Sequence, residues 1–505
     1  MRMTTAACLA VLWPVGPAAC GSGSPPPVDR HDQAVAAPAE KPGPRPEAAA
    51  GEDAPLRPAP GADIEEPPAP PPAAPRGRRT SRSGGHPIDL GSDRAAVRVR
   101  VPSPPRGTST TFTFADANGG DDRLGWVASM PEPNQLPSVA YGDGRIYVSG
   151  GFESVGFHAL DAGDGRLLWS AQRLEDNGPT APIYDGGRVI FNTESCTLFV
   201  MDARSGRKLW HKYLGDPTLA QPALSGGLIY AQHPAATGSA LSAYRVTDGA
   251  EVWSRPVDGE ILGAPVIAGD SVYLSTIRGR LYRFARTTGK PLWAVALDAT
   301  SAPWVDGDQL FLARQHAGKE EQIVVSAATG AVVRTHRAVA GRYLADVPRS
   351  MSDWKKVWAF EGSRPAIVGG TRYEAMGGLI QASDPLTGEA FWTRRHAAGD
   401  GQRSIGSVAV AGPEVVIATR RGQLYGLDVD TGYTLWAYDI GKPVVAQPVI
   451  ALGWVYTTST DGTVVGVQVG DSSLDGWHMW GGNPRHNGPV AAADAAPPGA
   501  RPDAR

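Results

Sequence analysis

The stretch LDVDTGYTLW at 427–436 decides the fold, because its pattern returns along the chain. An apolar start leads into a turn of Asp, Thr and Gly, and the stretch ends in Trp436. Looser versions are MDARSGRKLW at 201–210 and SDPLTGEAFW at 383–392. Glycine accepts the positive φ of a tight turn, and a Ser or Thr oxygen before it caps that turn. The motif therefore predicts a glycine turn followed by a strand that ends in tryptophan.

The motif forms a long-range repeat. Most neighbouring turn glycines lie about 40 residues apart, a period typical of propellers. Tryptophan follows each glycine by four positions, except after Gly330, where Arg334 takes that place. The turn glycines are Gly165, Gly206, Gly249, Gly289, Gly330, Gly388 and Gly432.

Each repeat unit has enough turns for four short strands. A proline and a glycine turn precede a strand rich in β-branched and aromatic residues, and two further turns follow before the tryptophan. Four strands in about 40 residues is the size of one β-propeller blade. The second strands of eight units run into Tyr147, Phe191, Tyr230, Tyr273, Phe311, Tyr373, Val416 and Tyr456. The sequence therefore predicts an all-β fold, an eight-bladed β-propeller of four-stranded antiparallel blades.

The eighth unit is one strand short. After Tyr456 it continues DGTVVGVQV, but the following GDSSLDGW has no turn that leads to a tryptophan strand. An unassigned strand, RLGWVAS at 123–129, precedes the first unit and carries Trp126. If this strand completes the last blade, the ring closes and a sheet edge is covered. We therefore expect an N-terminal strand to close the propeller.

The repeated tryptophans are expected to hold neighbouring blades together. Side chains at one offset in successive blades cannot all reach one ligand on the axis, but each can stack on the next blade. Burial of an indole contributes about 2–3 kcal/mol. The expected structural docking residues are Trp126, Trp169, Trp210, Trp253, Trp293, Trp392 and Trp436.

The pattern LDxxTGxxLW resembles the pyrroloquinoline quinone (PQQ) repeat, the tryptophan-docking motif of eight-bladed propellers. The closing stretch WHMWGGNPRHNG at 477–488 is similar to a flank often attached to such repeats. The resemblance implies one of two branches. Quinoprotein dehydrogenases hold PQQ and calcium on the propeller axis, whereas BamB-like lipoproteins of outer-membrane barrel assembly use the blades as a non-enzymatic scaffold.

The residues depart from the enzymatic branch. There the resemblance implies a catalytic aspartate beside a disulfide of adjacent cysteines, but the cysteines here are Cys8, Cys20 and Cys196. A haem-binding CxxCH motif is also missing from the sequence. Calcium needs several converging oxygens, and spacing assigns no Asp or Glu set to one site. We therefore nominate no catalytic or metal residue, leave the cofactor site unassigned and expect neither PQQ nor calcium. A PQQ- and calcium-dependent dehydrogenase and a sensor of a small periplasmic ligand are the alternatives.

Residues 1–20 have the composition of an export signal. MRMTTAACLAVLWPVGPAAC begins with a basic residue, continues with an apolar run too short to span a bilayer and ends in small residues. The residues AACG at 18–21 resemble a bacterial lipobox, although Pro17 replaces its usual leucine. The resemblance implies lipidation of Cys20 and, because no Asp follows it, an outer-membrane position facing the periplasm. Without the lipid, we expect a secreted or periplasmic protein.

Residues 21–110 have the composition of a tether. Runs such as PPAPPPAAPRGRR at 67–79 contain too few apolar residues to offset the entropy of ordering. We therefore expect a disordered linker over 21–110, the propeller over 111–489 and a short disordered tail over 490–505.

The longest unit contains the candidate partner-binding segment. The stretch RYLADVPRSMSDWKKVWAFEG at 342–362 combines aromatic and basic residues, a composition found at protein interfaces. The alternative is an insertion whose aromatic residues pack on their own blade. The candidate residues are Trp354, Lys355, Lys356 and Trp358.

Charge excludes another class of partner. The formal net charge is −3 and the sequence pI is about 6.4, so the chain has no overall basic field that would attract nucleic acid. The sequence therefore predicts an exported, lipid-anchored monomer that acts as a non-catalytic scaffold for envelope proteins and contacts the membrane only through its lipid.

Overall fold

The described part of the chain consists of strands and their connections. The chain divides into two units, 1–70 and 71–505, and every described residue lies in the second. Among the described residues no helix is long and apolar enough to cross a membrane. The computed structural model describes residues 87–215, 221–236, 238–317, 319–337, 365–376, 378–396, 408–444 and 446–474.

Four strands precede the first repeat unit, and four blades follow them. The preceding strands are β1 Ile88–Asp89, β2 Val97–Arg98, β3 Thr108–Phe114 and β4 Arg123–Ser129. Blade 1 contains β5 Ala140–Gly142, β6 Arg145–Ser149, β7 Phe157–Asp161 and β8 Leu167–Ala171. Blade 2 contains β9 Ile183–Asp185, β10 Arg188–Phe191, β11 Thr197–Asp202 and β12 Lys208–Tyr213. Blade 3 contains β13 Ala223–Ser225, β14 Leu228–Ala235, β15 Gly238–Arg245 and β16 Glu251–Val257. Blade 4 contains β17 Val266–Ala268, β18 Ser271–Ser275, β19 Arg280–Ala285 and β20 Pro291–Ala296.

The second half of the ring repeats this arrangement. Blade 5 contains β21 Trp304–Asp306, β22 Gln309–His316, β23 Lys319–Ser326 and β24 Val332–Arg337. Blade 6 contains β25 Pro365–Val368, β26 Thr371–Met376, β27 Leu379–Ser383 and β28 Ala390–Arg395. Blade 7 contains β29 Ala409–Ala411, β30 Glu414–Ala418, β31 Gln423–Asp428 and β32 Thr434–Asp439. Blade 8 contains β33 Val449–Ala451, β34 Trp454–Thr458, β35 Thr463–Gln468 and the early strand β4.

The sheets form an eight-bladed ring, as predicted from the sequence. In blades 1–7 four consecutive strands pair antiparallel in chain order. In blade 8, β4 pairs antiparallel with β35 and places Trp126 opposite Gly466. The first strand of blade 8 contacts the first strand of blade 1. These contacts confirm the eight blades and their closure by an N-terminal strand.

The outermost hairpin of each regular blade explains how its tryptophan is placed. In blade 1, Trp169 lies opposite Ala159, and a β-bulge follows between Ala159 and Leu160. A bulge at the same register occurs in every one of blades 1–7. Because bulges increase local twist, they suit the twisted sheets of a propeller.

Residues 87–114 form a strap along the outside of three blades. Strand β1 pairs parallel with β28 of blade 6, β2 pairs parallel with β32 of blade 7, and β3 pairs antiparallel with β4 of blade 8. Leu90 and Val99 are buried there.

The strap corrects the expected boundary between linker and propeller. The linker was expected to extend to residue 110, but β1, β2 and the start of β3 lie in the fold. Short apolar alternations such as VRVRV at 97–101 can pair with a sheet edge even within a Pro- and Ala-rich context. The remainder of the expected linker, the signal segment 1–20 and the tail 490–505 lie outside the described residues.

Candidate functional site

The tryptophans at the repeat position bridge neighbouring blades. Six of the seven expected docking residues donate an indole hydrogen bond to a backbone carbonyl of the following blade. These bonds join Trp126 to Ala162 (2.9 Å), and Trp169 to Ala203, Trp210 to Val246, Trp253 to Arg286, Trp293 to Ala327 and Trp392 to Val429 (3.0 Å each). The indoles are therefore structural links between blades.

The turn glycine receives the indole. Gly165 has a φ of 71°, and a Cβ at this position would overlap the ring of Trp126. Gly206 has a φ of 70° and lies in the same way against Trp169. The glycine is thus required twice, once for its left-handed backbone and once for the close approach of the ring.

Trp436 departs from this pattern. Its indole donates to the Glu414 carboxylate of its own blade at 2.7 Å. The following blade takes its outer strand from the N-terminal segment, so no Asp-Gly turn lies between that strand and β35. Burial raises the pKa of Glu414 to about 7, with the charges of Asp471 and Asp428 adding to the shift and the indole bond opposing it.

Basic side chains two positions after three of the tryptophans reinforce the docking. Lys212 donates to the Gly249 carbonyl at 3.2 Å, and Arg255 donates to that of Gly289 at 2.8 Å. Arg394 bonds the next turn equivalently at 2.7 Å. The sequence analysis missed these contacts, although the runs KLWHK, EVWSR and AFWTR contain the signal.

A buried histidine lies where blade 8 leads into blade 1. The His158 Nδ1 lies 2.8 Å from the Ser170 hydroxyl oxygen, and its Nε2 lies 3.3 Å from a Glu132 carboxylate oxygen. The His158 hydrogen bond lowers the pKa of Glu132 despite the opposing effect of burial. His158 is fully buried, so a substrate cannot reach its ring.

Related polar pairs occur at the same register in other blades. Ser242 donates to Ser254 at 2.8 Å in blade 3, and Gln381 donates to Thr393 at 3.0 Å in blade 6. This recurrence and the complete burial of His158 indicate a structural role for the His158–Ser170 pair, as a cross-strand contact within blade 1.

The described residues do not fit the PQQ and calcium site of the enzymatic branch. They contain no group of three or more His, Cys, Asp or Glu side chains placed to hold a metal ion. Cys196 is buried, and its thiol donates to the Gln232 carbonyl at 3.3 Å. The adjacent-cysteine disulfide of that branch is therefore missing from this part of the chain.

The outer rim exposes apolar side chains on one arc of the ring. The residue just before the docking position is 37–53% exposed in blades 2–5, where it is Leu209, Val252, Leu292 and Val333. The equivalent Phe391 and Leu435 of blades 6 and 7 are only partly exposed and pack against the core that also contains Leu90 and Val99 of the strap. Strand β20 of blade 4, PLWAVA, carries no charged residue. Exposed apolar positions on a sheet edge favour contacts with other polypeptides.

The repeat and its closure match a known family. The family model described as outer membrane protein assembly factor BamB matches residues 114–336 and 376–495. The chain belongs to this BamB family. BamB of Burkholderia pseudomallei (strain K96243) is 24% identical over 289 residues, 54% of this chain and 70% of that protein. BamB of Yersinia pestis is 24% identical over 336 residues, 62% of this chain and 80% of that protein.

A solved BamB structure has the same fold. The crystal structure of BamB from Moraxella catarrhalis aligns with a TM-score of 0.51 at 16% identity, over 68% of this chain and 98% of that one. The candidate partner-binding residues of this BamB-family chain lie outside the described residues, as does Cys20. Those candidates are Trp354, Lys355, Lys356 and Trp358.

Proposed function

We propose that this chain is a non-catalytic scaffold that binds protein partners in the bacterial cell envelope. The family match carries the proposal, because the proteins of that family are outer membrane assembly factors by name. The apolar arc on the rim of blades 2–5 supports it, since rigid rings with exposed apolar edges suit protein contacts. The partners would be other envelope proteins, and the propeller itself would be monomeric.

The proposal includes a lipid anchor at Cys20 that holds the propeller at the outer membrane. Its support is the signal-like segment 1–20 and the lipobox-like residues before Gly21. We expect mass spectrometry of the mature protein to find an acylated N-terminal cysteine, and Cys20→Ala to move the chain from the membrane fraction to the soluble fraction. An unmodified N-terminus located beyond residue 20 would contradict the anchor.

Partner binding can be tested on the two candidate surfaces. Envelopes solubilised in detergent would be passed over the immobilised wild-type chain, a Trp354→Ala/Trp358→Ala chain and a Leu292→Arg chain. Leu452→Arg is the matched control, because Leu452 is also exposed but lies in a turn of blade 8. We expect the control to retain a defined partner that at least one of the test chains loses. Identical partners on all four chains would exclude both surfaces.

The enzymatic alternative has a direct test. PQQ and calcium would be added to the purified mature chain, followed by measurement of bound-quinone absorbance and dye-linked alcohol oxidation. We expect neither signal to exceed that of a denatured control. Stoichiometric quinone binding with alcohol oxidation would overturn the scaffold proposal.

A further inference from the structure

The junction between blades 5 and 6 has no indole link. At its docking position stands Arg334, whose side chain is exposed. His336 lies against Gly388 of blade 6 instead, and its buried Nε2 has no hydrogen-bond partner. Burial, together with the charges of Arg372 and Arg334, lowers the pKa of His336 and favours a neutral ring. A small, incompletely bonded ring therefore replaces the indole.

The receiving turn in blade 6 is nevertheless intact. Gly388 has a φ of 71°, and its N–H donates to the Asp384 carbonyl at 2.9 Å. The equivalent turn in blade 7 has a φ of 68° at Gly432 and receives the Trp392 ring. Blade 6 thus has the turn that receives an indole in other blades, but blade 5 has Arg334 at the position that supplies the indole.

Blade 5 also places a polar residue inside this junction. Gln322 lies opposite His336 and is buried. At the same register, all seven other blades carry a buried apolar side chain, so the amide is specific to blade 5. These residues are Phe157, Leu198, Leu241, Leu281, Ile380, Leu424 and Val464.

Blade 6 presents two buried charges to the same junction. Arg372 is 3% exposed and Glu374 is 1% exposed. The Arg372 position is apolar in every other blade, where it is Ile146, Val189, Ile229, Val272, Leu310, Val415 and Val455. The Glu374 position is Val148, Phe191, Ala231, Leu274, Leu312, Ile417 and Thr457.

These polar groups bond one another across the junction. The Gln322 amide donates to one Glu374 oxygen at 2.8 Å, and the Arg372 guanidinium donates to the other. The Nε of Arg372 is buried without a partner. A buried guanidinium with one unbonded N–H carries a desolvation penalty that its attraction to a carboxylate offsets only in part.

Separation of this junction has a lower cost than separation of an apolar one. The free-energy cost of exposing apolar side chains to water grows with the area exposed, whereas exposed Arg, Glu and Gln side chains regain their hydration. On the outside, the described part of the strap spans blades 6, 7 and 8 but does not reach blade 5. The strap also compensates the irregular junction of blades 7 and 8, because Tyr438 donates to Asp116 at 3.3 Å and contacts Phe114 edge-on.

We propose that the ring opens reversibly at the junction of blades 5 and 6, where an ionic cluster stands in place of the indole link that six other junctions have and of the apolar residues at the equivalent positions. The opening leaves each blade folded. It exposes to water only the facing surfaces of blade 5, with Gln322 and His336, and of blade 6, with Arg372 and Glu374. It provides a hinge at a junction where buried charges stand in place of the indole and of apolar side chains.

Thiol labelling at two matched positions tests this hinge. Val324 and Val200 are both buried and occupy the same register in blades 5 and 2, opposite Arg334 and Trp210. Full-length chains with Val324→Cys or Val200→Cys would be treated with N-ethylmaleimide, and modification of each cysteine would be followed by peptide mass spectrometry. The native buried Cys196 serves as an internal reference in both chains.

We expect Cys at 324 to react at least tenfold faster than Cys at 200, with a rate that low denaturant concentrations leave unchanged. Local opening exposes little surface and so has little denaturant dependence, unlike global unfolding. Equal rates with equal denaturant dependence at the two sites would overturn the proposal.

A repaired junction separates the hinge from a defect introduced by the cysteine. Arg334→Trp with His336→Val copies the sequence of blade 4, and Gln322→Leu with Arg372→Val and Glu374→Leu copies the apolar packing. Added to Val324→Cys, either repair is expected to slow labelling at least tenfold. Unchanged fast labelling in both repaired, folded chains would contradict the hinge. If a repaired chain fails to fold, the comparison of positions 324 and 200 decides.

Discussion

Blades 6–8 and blades 1–5 share one repeat but end differently at the rim. The three strapped blades carry a fifth strand supplied by residues 87–114, whereas the five open blades have no further strand paired to them among the described residues. Apolar side chains that the strap half-buries in blades 6 and 7 are exposed in blades 2–5. The repeat therefore specifies a four-stranded blade whose outer strand has an unpaired edge. The strap at 87–114 covers that edge in blades 6–8.

The strap makes the same backbone hydrogen bond to blade 6 and to blade 7. Leu90 donates its backbone N–H to the Arg395 carbonyl at 2.6 Å, and Val99 donates to that of Asp439 at 2.9 Å. Arg395 and Asp439 lie at the same position, three residues after the docking tryptophan of blades 6 and 7. Two different short segments thus pair with equivalent sites on blades 6 and 7, which indicates that this edge accepts extended segments of differing sequence.

The largest predicted effect concerns the indole that closes the ring. Trp126 is fully buried in strapped blade 8, whereas Trp169 in open blade 1 is partly exposed. We expect Trp126→Ala to lower the free energy of unfolding by about 3–5 kcal/mol and Trp169→Ala to lower it by roughly half as much. Urea unfolding monitored by circular dichroism measures both. Equal losses would mean that the strapped and open blades are packed alike.

The next effect tests the strap itself. Val99 is buried under blade 7, so Val99→Asp places a carboxylate in an apolar contact and should cost about 3 kcal/mol. Leu292→Asp is the matched control on the open edge of blade 4, where 43% exposure predicts a change within about 0.5 kcal/mol. A small effect of Val99→Asp would show that the strap contributes little to the ring.

A pH effect of intermediate size arises where the strapped blades 7 and 8 meet. The fold raises the pKa of Glu414 from 4.5 to about 7, so the folded chain holds this proton more tightly than the unfolded chain. The associated stability is fully present below pH 4.5 and is lost as the pH rises to about 7, up to roughly 3 kcal/mol. Asp428 and Asp471 face the carboxyl group, and both favour its neutral form.

Glu414→Gln isolates this contribution. Its neutral amide oxygen can still accept the Trp436 indole bond but does not titrate. Urea unfolding at pH 5 and pH 8 should therefore show a smaller loss of stability in the variant than in the wild-type chain. Identical losses in the two chains would mean that folding does not raise the pKa of Glu414.

Much of this architecture follows from local sequence, and the failures have physical causes. The Gly and Trp spacing predicted the blades, and the missing strand after Tyr456 predicted closure by Trp126. The strap was missed because β1 and β2 are two-residue strands that only a neighbouring sheet edge makes regular. The Glu414 contact could not be predicted from local sequence. It depends on the next blade, which lacks the Asp-Gly turn that receives the tryptophan in other blades.

The polar junction of blades 5 and 6 could not be predicted from local sequence either. Arg334 was visible as a break in the repeat, but Arg372 and Glu374 lie in a strand whose β-type alternation looks ordinary. Their importance appears only when the register aligns Arg372 with apolar residues in seven other blades and Glu374 with apolar residues in six of them and Thr457 in the seventh. Long-range pairing, rather than local pattern, places these charges between two sheets.

The smallest predicted effect concerns the ionic contact at the start of the strap. Asp89 pairs with Arg395 at 3.0 Å, but the two side chains are 43% and 54% exposed. Exposed ion pairs contribute about 0–1 kcal/mol. Asp89→Asn should therefore lower the free energy of unfolding by less than about 1 kcal/mol, and the loss should disappear in 1 M salt. Val99→Asp in the same assay should remain destabilising at high salt, because its cost arises from burial. A loss for Asp89→Asn that is larger than that for Val99→Asp at low salt and disappears in 1 M salt would assign strap binding to charge and not to the apolar contacts of Leu90 and Val99.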